Sequence, residues 1–214
     1  MILDFDKLAA TPLERDPYEH VVVERFVYPE KFPQVIADFP TLPGLGLHPP
    51  SALDLKGAFA TMLEEFNSDR FRDIIAEKFE VDLKGKPFMS TVRGYTGTRD
   101  GHMHTDSETK IITVLIYLNQ SWDKKGGNLR ILRGGTDIED YAREISPIEG
   151  ALLVFKRSDR SWHGHLPFEG PRRSIQFNWV TDRFTAFKEN ARHYLGSKLK
   201  AAHESLGGPD RPMR

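Results

Sequence analysis

The sequence predicts an α+β fold in which one antiparallel β core is dressed by helices. Three observations lead there. The 214 residues suit one domain with a full-sized core. The pattern of apolar residues is mixed and becomes helical up to about residue 86, is strand-like from 87 to 182, and is helical again beyond. Hydrophobic residues make up 39% of the chain, which together with 17 Gly is globular composition and excludes global disorder.

Taken in order, Val21-Val22-Val23 and Phe26-Val27-Tyr28 read as a strand ended by Pro29. Phe32, Val35, Ile36 and Phe39 are spaced as a helix, and 40–50 is a Pro/Gly-rich loop. Leu55, Phe59, Met62, Leu63 and Phe66 share one helix face; Phe71, Ile74, Ile75 and Phe79 share another, with Asn67 or Ser68 placed to cap its start. Both stripes read as packing faces turned to a sheet. Strands follow at 88–95, 111–119, 128–132, 151–155 and 173–180, separated by Gly, Pro, Asp and Asn. No long helix interrupts them, so they pair antiparallel and curl into a sandwich or barrel. Helical spacing returns through Phe187, Ala191, Leu195, Leu199 and Ala202 and stops at Gly207-Gly208-Pro209. The chain therefore reads as one domain: a mostly helical support over 1–86, a β core over 87–182 and a C-terminal helix over 183–214.

The absence of Cys excludes disulfides, thiolate zinc sites, iron–sulfur clusters and cysteine nucleophiles, and fits a reducing compartment. Any metal must take His, Asp or Glu. A net charge of −1 offers no general attraction to nucleic acid or to an anionic membrane. The longest nearly apolar run, 111–118, is too short to span a bilayer, and the acidic start lacks the basic residues of a signal peptide. The expectation is a soluble, cytoplasmic protein.

Four of the eight His form two clusters at the borders of predicted strands: His102 and His104 with Asp106, and His163 with His165. A lone H-x-D triplet is weak, because eight His and 16 Asp produce one by chance in such a chain about as often as not. Residues two apart in an extended segment project to the same side, so His104 and Asp106 can converge on one ion. His102 cannot join them both. The second cluster lies 57 residues beyond Asp106, as suits a third ligand from a neighbouring strand. Two His and one carboxylate with open positions is the arrangement of non-haem Fe(II) oxygenases.

The segment from Arg173 to Trp179 alternates, with Ile175, Phe177 and Trp179 at odd positions and Ser174, Gln176 and Asn178 between them. The odd face reads as interior. Arg173 begins it, and a cation at the mouth of an apolar cavity calls for a carboxylate partner; the alternative is that Arg173 snorkels to solvent, as Arg172 is expected to do.

The ordered series from about 91 to 180 resembles the Fe(II)/2-oxoglutarate-dependent dioxygenases, in the prolyl-4-hydroxylase-like branch. It runs from Tyr95 through His104-Thr105-Asp106, Ile116-Tyr117-Leu118-Asn119 and Gly126-Gly127-Asn128 to Trp162-His163, Pro167 and Arg173. The resemblance implies a double-stranded β-helix (jelly-roll) core flanked by N- and C-terminal helices. It also implies iron ligation by His104, Asp106 and His163, with Arg173 on the distal carboxylate of 2-oxoglutarate and the Tyr95 hydroxyl beside it. His163 is taken over His165 because the Pro167 and Arg173 offsets match from 163. The implied reaction is hydroxylation of an unactivated C–H bond in a protein side chain or small metabolite. Fe(II), 2-oxoglutarate and O2 take part, ascorbate is a further cofactor the resemblance allows, and succinate and CO2 leave. Ile112, Val114, Ile116, Leu129 and Ile131 are candidate cavity walls, and 40–54, 97–101 and 134–148 are candidate substrate loops. Two other readings are a cupin-type metal protein, suggested by His102-Met103-His104 with Glu108, and a non-catalytic β-barrel binding module. The cupin reading lacks its expected glycines, and Leu115 stands where one belongs.

Overall fold

The computed structural model describes residues 1–98 and 100–182; the expected C-terminal helix lies outside them. The first 79 residues hold helices α1 (Phe5–Ala10), α2 (Phe32–Ala37), α3 (Gly57–Phe66) and α4 (Asp69–Phe79), and strand β1 (His20–Val23). The strands β2 (Phe88–Thr96), β3 (Lys110–Tyr117), β4 (Leu129–Leu132), β5 (Tyr141–Ile145), β6 (Leu152–Lys156), β7 (His163–Gly164) and β8 (Gly170–Val180) follow. The sequence expectation holds for α2 to α4 and for five of these strands. Helix α1 and the short β5 and β7 were not expected. Strand β5 lies inside 134–148, a segment expected to be a loop, and its burial is too broken to read as alternation.

Helix α4 starts where Ser68 accepts the Phe71 N–H and ends at Glu80 in the left-handed conformation. The predicted cap is thus resolved in favour of Ser68 over Asn67. Strands β1-β6-β3-β8-β2 form a five-stranded sheet and β5-β4-β7 a three-stranded one, with antiparallel pairing throughout.

Two cores result, one on each face of the larger sheet. On the outer face Ile112, Val114, Ile116, Ile175, Phe177 and Trp179 pack against Phe59, Met62, Phe66, Phe71 and Ile75 of the helices. Phe66 stacks on Phe177 at 4.4 Å and meets Phe71 edge-on at 5.1 Å. Between the sheets, Tyr117, Leu153 and Phe155 meet Leu129, Ile131 and Ile145, with Tyr18 closing one side.

This partition corrects the expected cavity walls. Ile112, Val114 and Ile116 face the helices, and only Leu129 of the five expected residues lines the inter-sheet cavity. The most apolar face of these strands is the one the helices cover, because helix stripes need a matching surface. The truncation Phe66→Ala should therefore cost about 3–5 kcal/mol, read as a lowered urea midpoint with an unchanged slope.

Candidate metal centre

The open end of the inter-sheet space holds His104 and Asp106, from the segment between β2 and β3, and His163 on β7. One potential ligand atom from each lies within 4.8 Å of the others, the sole such cluster among the described residues. His104 Nε2 is 3.9 Å from Asp106 Oδ1. Reciprocal backbone hydrogen bonds of 3.0 Å join His104 to His163, fixing their register. The Nδ1–H groups donate to backbone carbonyls, His104 to His102 (2.8 Å) and His163 to Ser161 (3.0 Å). Each ring then offers its Nε2 lone pair to the centre, as metal-ligating His residues do. Burial, above all, pushes the His163 imidazole down to about 4, so it is neutral at pH 7.

Asp106 is buried and ionised. Desolvation alone would raise its pKa, but Lys110, His163 and two hydrogen bonds outweigh that and hold it below the usual carboxylate range. Lys110 Nζ donates to Oδ1 at 2.7 Å, and Thr113 Oγ1 donates to Oδ2 at 2.6 Å. The Asn178 amide lies 3.0 Å from the same Thr113 hydroxyl. The Asn178 atom that faces it is Oδ1, an acceptor that also takes an N–H from Gln176 Nε2 at 3.3 Å.

Two adjoining cavities open at this cluster. One, of about 130 Å³, runs inward past Leu115, Leu129 and His165 to Tyr117 and Arg172. The other, of about 350 Å³, runs outward along Met89, Thr91, Lys110, Gln176 and Asn178.

The arginine facing the inner cavity is Arg172, and Arg173 is on the other face of β8. Arg172 is 5% exposed, its Nε donates to the Gly127 carbonyl (2.8 Å), and its guanidinium lies over the Tyr117 ring at 5.0 Å. Arg173 instead packs over Phe39 at 4.8 Å. The alternation of β8 was read with the right period, but the odd face meets the helices and the even face lines the cavity. Tyr95 lies beyond a register shift between Arg93 and Tyr95, is half-buried, and lines neither cavity. Tyr117 takes the inward place. It is buried, its hydroxyl has no hydrogen-bond partner of good geometry, and burial raises its pKa despite Arg172 nearby. The polar even stripe Arg172, Ser174, Gln176 was the signal that would have identified the cavity face.

His102 is exposed and outside the cluster. His165 also lies outside it, yet it lines the inner cavity and donates Nδ1–H to the Leu166 carbonyl (2.8 Å). Its ring presses on Gly101, where a Cβ would fall 2.1 Å from Nε2 and where φ is +80°.

Residues 90–181 match the family model described as the 2OG-Fe(II) oxygenase superfamily. The match spans 92 of the 214 residues. The resemblance read from the sequence is borne out by this match, whose superfamily uses Fe(II), 2-oxoglutarate and O2. The fold of the chain is similar to a prolyl-4-hydroxylase from Pseudomonas putida, with a TM-score of 0.54 and 18% identity over 83% of this chain and 97% of that one. It is also similar to the 2OG complex of a viral collagen prolyl hydroxylase from Paramecium Bursaria Chlorella virus-1, with a TM-score of 0.50 and 12% identity over 78% and 99%. No curated protein matches the chain. Among the described residues, no helix is long and apolar enough to cross a membrane.

The environment of His165 gives a pH test. Burial first, then Arg172 and Arg93, push its imidazole down to about 4 from 6.5. The neutral form is favoured in the folded state, so its stabilisation is complete above pH 6.5 and is lost as pH falls towards 4. Between those values the metal-free wild type should lose stability faster than His165→Asn, by up to about 1.4 kcal/mol per pH unit, measured by urea unfolding at each pH.

Proposed function

We propose that the chain is a non-haem Fe(II)- and 2-oxoglutarate-dependent hydroxylase. His104, Asp106 and His163 hold the iron, and Arg172 with Tyr117 holds the distal carboxylate of the co-substrate. The two facing sheets are read as the double-stranded β-helix of that family. The observation that carries the proposal is the convergence of two imidazoles and one carboxylate, delivered from two separate segments, on one point. The donor set fits Fe(II): neutral imidazole and ionised carboxylate are suitable ligands, and three of them leave positions open. The unpartnered Tyr117 hydroxyl beside the Arg172 guanidinium fits a carboxylate that accepts from both.

Held by these residues, Fe(II) with 2-oxoglutarate and O2 would supply the oxidation of an unactivated C–H bond with release of succinate and CO2. The protein's residues arrange that chemistry. Lys110 and Thr113 keep Asp106 ionised and oriented, and the carbonyls of His102 and Ser161 fix the tautomers of the two imidazoles. Arg172, anchored through Nε on Gly127, presents its remaining N–H groups as a fork. Leu115 and Leu129 keep water from the inner cavity, which strengthens these charge contacts. The outer cavity is the way in for the prime substrate, a protein side chain or a small metabolite, which reaches the centre where the two cavities meet.

Anaerobic protein given Fe(II) and then 2-oxoglutarate should develop the weak visible charge-transfer band of a chelated 2-oxo acid. Iron shown to be bound without that band would favour a cupin-type or binding protein. His104→Ala and His163→Ala should abolish iron-dependent succinate formation, and His165→Ala should retain it. Arg172→Gln should raise the 2-oxoglutarate KM by about tenfold or more, the loss expected for a charge-assisted pair. Arg173→Gln should change it by less than about twofold, since Arg173 touches the helical layer; equal effects would reverse the assignment.

A further inference from the structure

Arg172 shares its cavity with a second guanidinium. Arg93, on β2, lines the same space and lies opposite Ser174 in the β2–β8 register, so it sits diagonally from Arg172 across the strand pair. Two like charges held side by side in a largely desolvated cavity repel, and the arrangement is stabilised when an anion enters. Asp100 reaches Arg93 Nη1 through Oδ2 at 2.8 Å, and the same oxygen accepts the Gly97 N–H at 2.9 Å. That carboxylate comes from the loop at the rim and is 37% exposed, against 19% for the Arg93 side chain. A guanidinium carries five N–H donors, so one carboxylate oxygen leaves most of its capacity unused.

The charge balance points the same way. Around the two cavities the described residues place three cations, Arg93, Lys110 and Arg172, against two carboxylates, Asp100 and Asp106. A divalent ion and a doubly charged 2-oxoglutarate cancel one another. A surplus of one positive charge therefore remains when both are in place.

We infer that Arg93 is a second anion-binding point, which takes a carboxylate of the prime substrate beside the metal centre. The inference rests on the proposed function for the occupant of Arg172, and it narrows the substrate to a molecule bearing a carboxylate. Asp100 holds Arg93 and is displaced, or shares it, when that carboxylate arrives. Arg93 would then act as a specificity-determining residue, discriminating an acid from its neutral amide by leaving the guanidinium unmatched.

The test uses the full chain loaded with Zn(II), with the arginine Nε–H resonances read by ¹⁵N NMR and assigned through Arg93→Gln and Arg172→Gln. N-oxalylglycine, an unreactive analogue of 2-oxoglutarate, is added to saturation, followed by acetate as the carboxylate probe and acetamide as its neutral control. N-oxalylglycine should move the Arg172 resonance. Acetate should then move that of Arg93 saturably, and acetamide should not. Asp100→Asn, which removes the competing carboxylate, should tighten acetate at least threefold, and this arm stands even if Arg93→Gln fails to fold. An Arg93 resonance that moves with N-oxalylglycine and ignores acetate would make it a second anchor of the co-substrate and overturn the inference. One silent to both would make the Arg93–Asp100 pair purely structural. If Arg172 does not respond to N-oxalylglycine, the co-substrate assignment fails, while acetate still decides the role of Arg93.

Discussion

A strand buried on both faces has to carry two chemistries at once, and β8 does so by alternation. Ile175, Phe177 and Trp179 meet the aromatic stripes of α3 and α4, while Arg172, Ser174 and Gln176 line the inter-sheet cavity. The rest of the architecture depends on this division. Because β3 runs beside β8, it is divided in the same register: Ile112, Val114 and Ile116 go to the helices, and Thr113, Leu115 and Tyr117 go to the cavity. A slip of one residue in either strand would exchange every pair of roles. The helices thus supply more than stability, since their apolar faces decide which side of the sheet is free to be polar.

On the polar side, the organising problem is to keep charge in a desolvated place. Asp106 is solved locally, by an ammonium on one of its oxygens and a hydroxyl on the other, each oxygen keeping a lone pair for an ion. The hydroxyl is in turn held by Asn178 of β8, so the carboxylate is tied back to the sheet that the helices brace. His163 and His165 are solved by neutrality, because burial keeps both imidazoles unprotonated at physiological pH. The guanidiniums of Arg93 and Arg172 have no neutral form within reach and are the groups left asking for anions.

Much of this was legible in the residues. The helix stripes of α3 and α4, the change of period near residue 87 and the pairing of His104 with Asp106 all follow from spacing, because period 3.6 and period 2 are properties of the backbone itself. The place of Arg173 was not legible. Alternation separates the two faces of a strand but says nothing about which face meets helices and which meets a ligand, and an apolar stripe fits either description. The same ambiguity misplaced Ile112, Val114 and Ile116. Tyr95 was lost for a different reason: a register shift after Arg93 breaks the parity by which its direction would be inferred. Strand β5 escaped because a short edge strand with broken burial carries no clear period.

The contact of Gly101 with the His165 ring, together with the backbone bond from His165 N–H to the Gly101 carbonyl (2.9 Å), closes a ladder that continues through His104 and His163. Gly164 completes the fit, since a Cβ there would meet the Gly101 carbonyl at 2.9 Å. The strip from 101 to 104 is therefore zipped to the strip from 163 to 165, and the distance between the imidazoles of His104 and His163 is set by main-chain geometry. An arriving ion has little ordering entropy to overcome, because the chain has already lost it on folding. Variation among sequences built on this plan should consequently collect on the rim side of Gly101, where a loop can change length or charge without disturbing the spacing of the centre it overhangs.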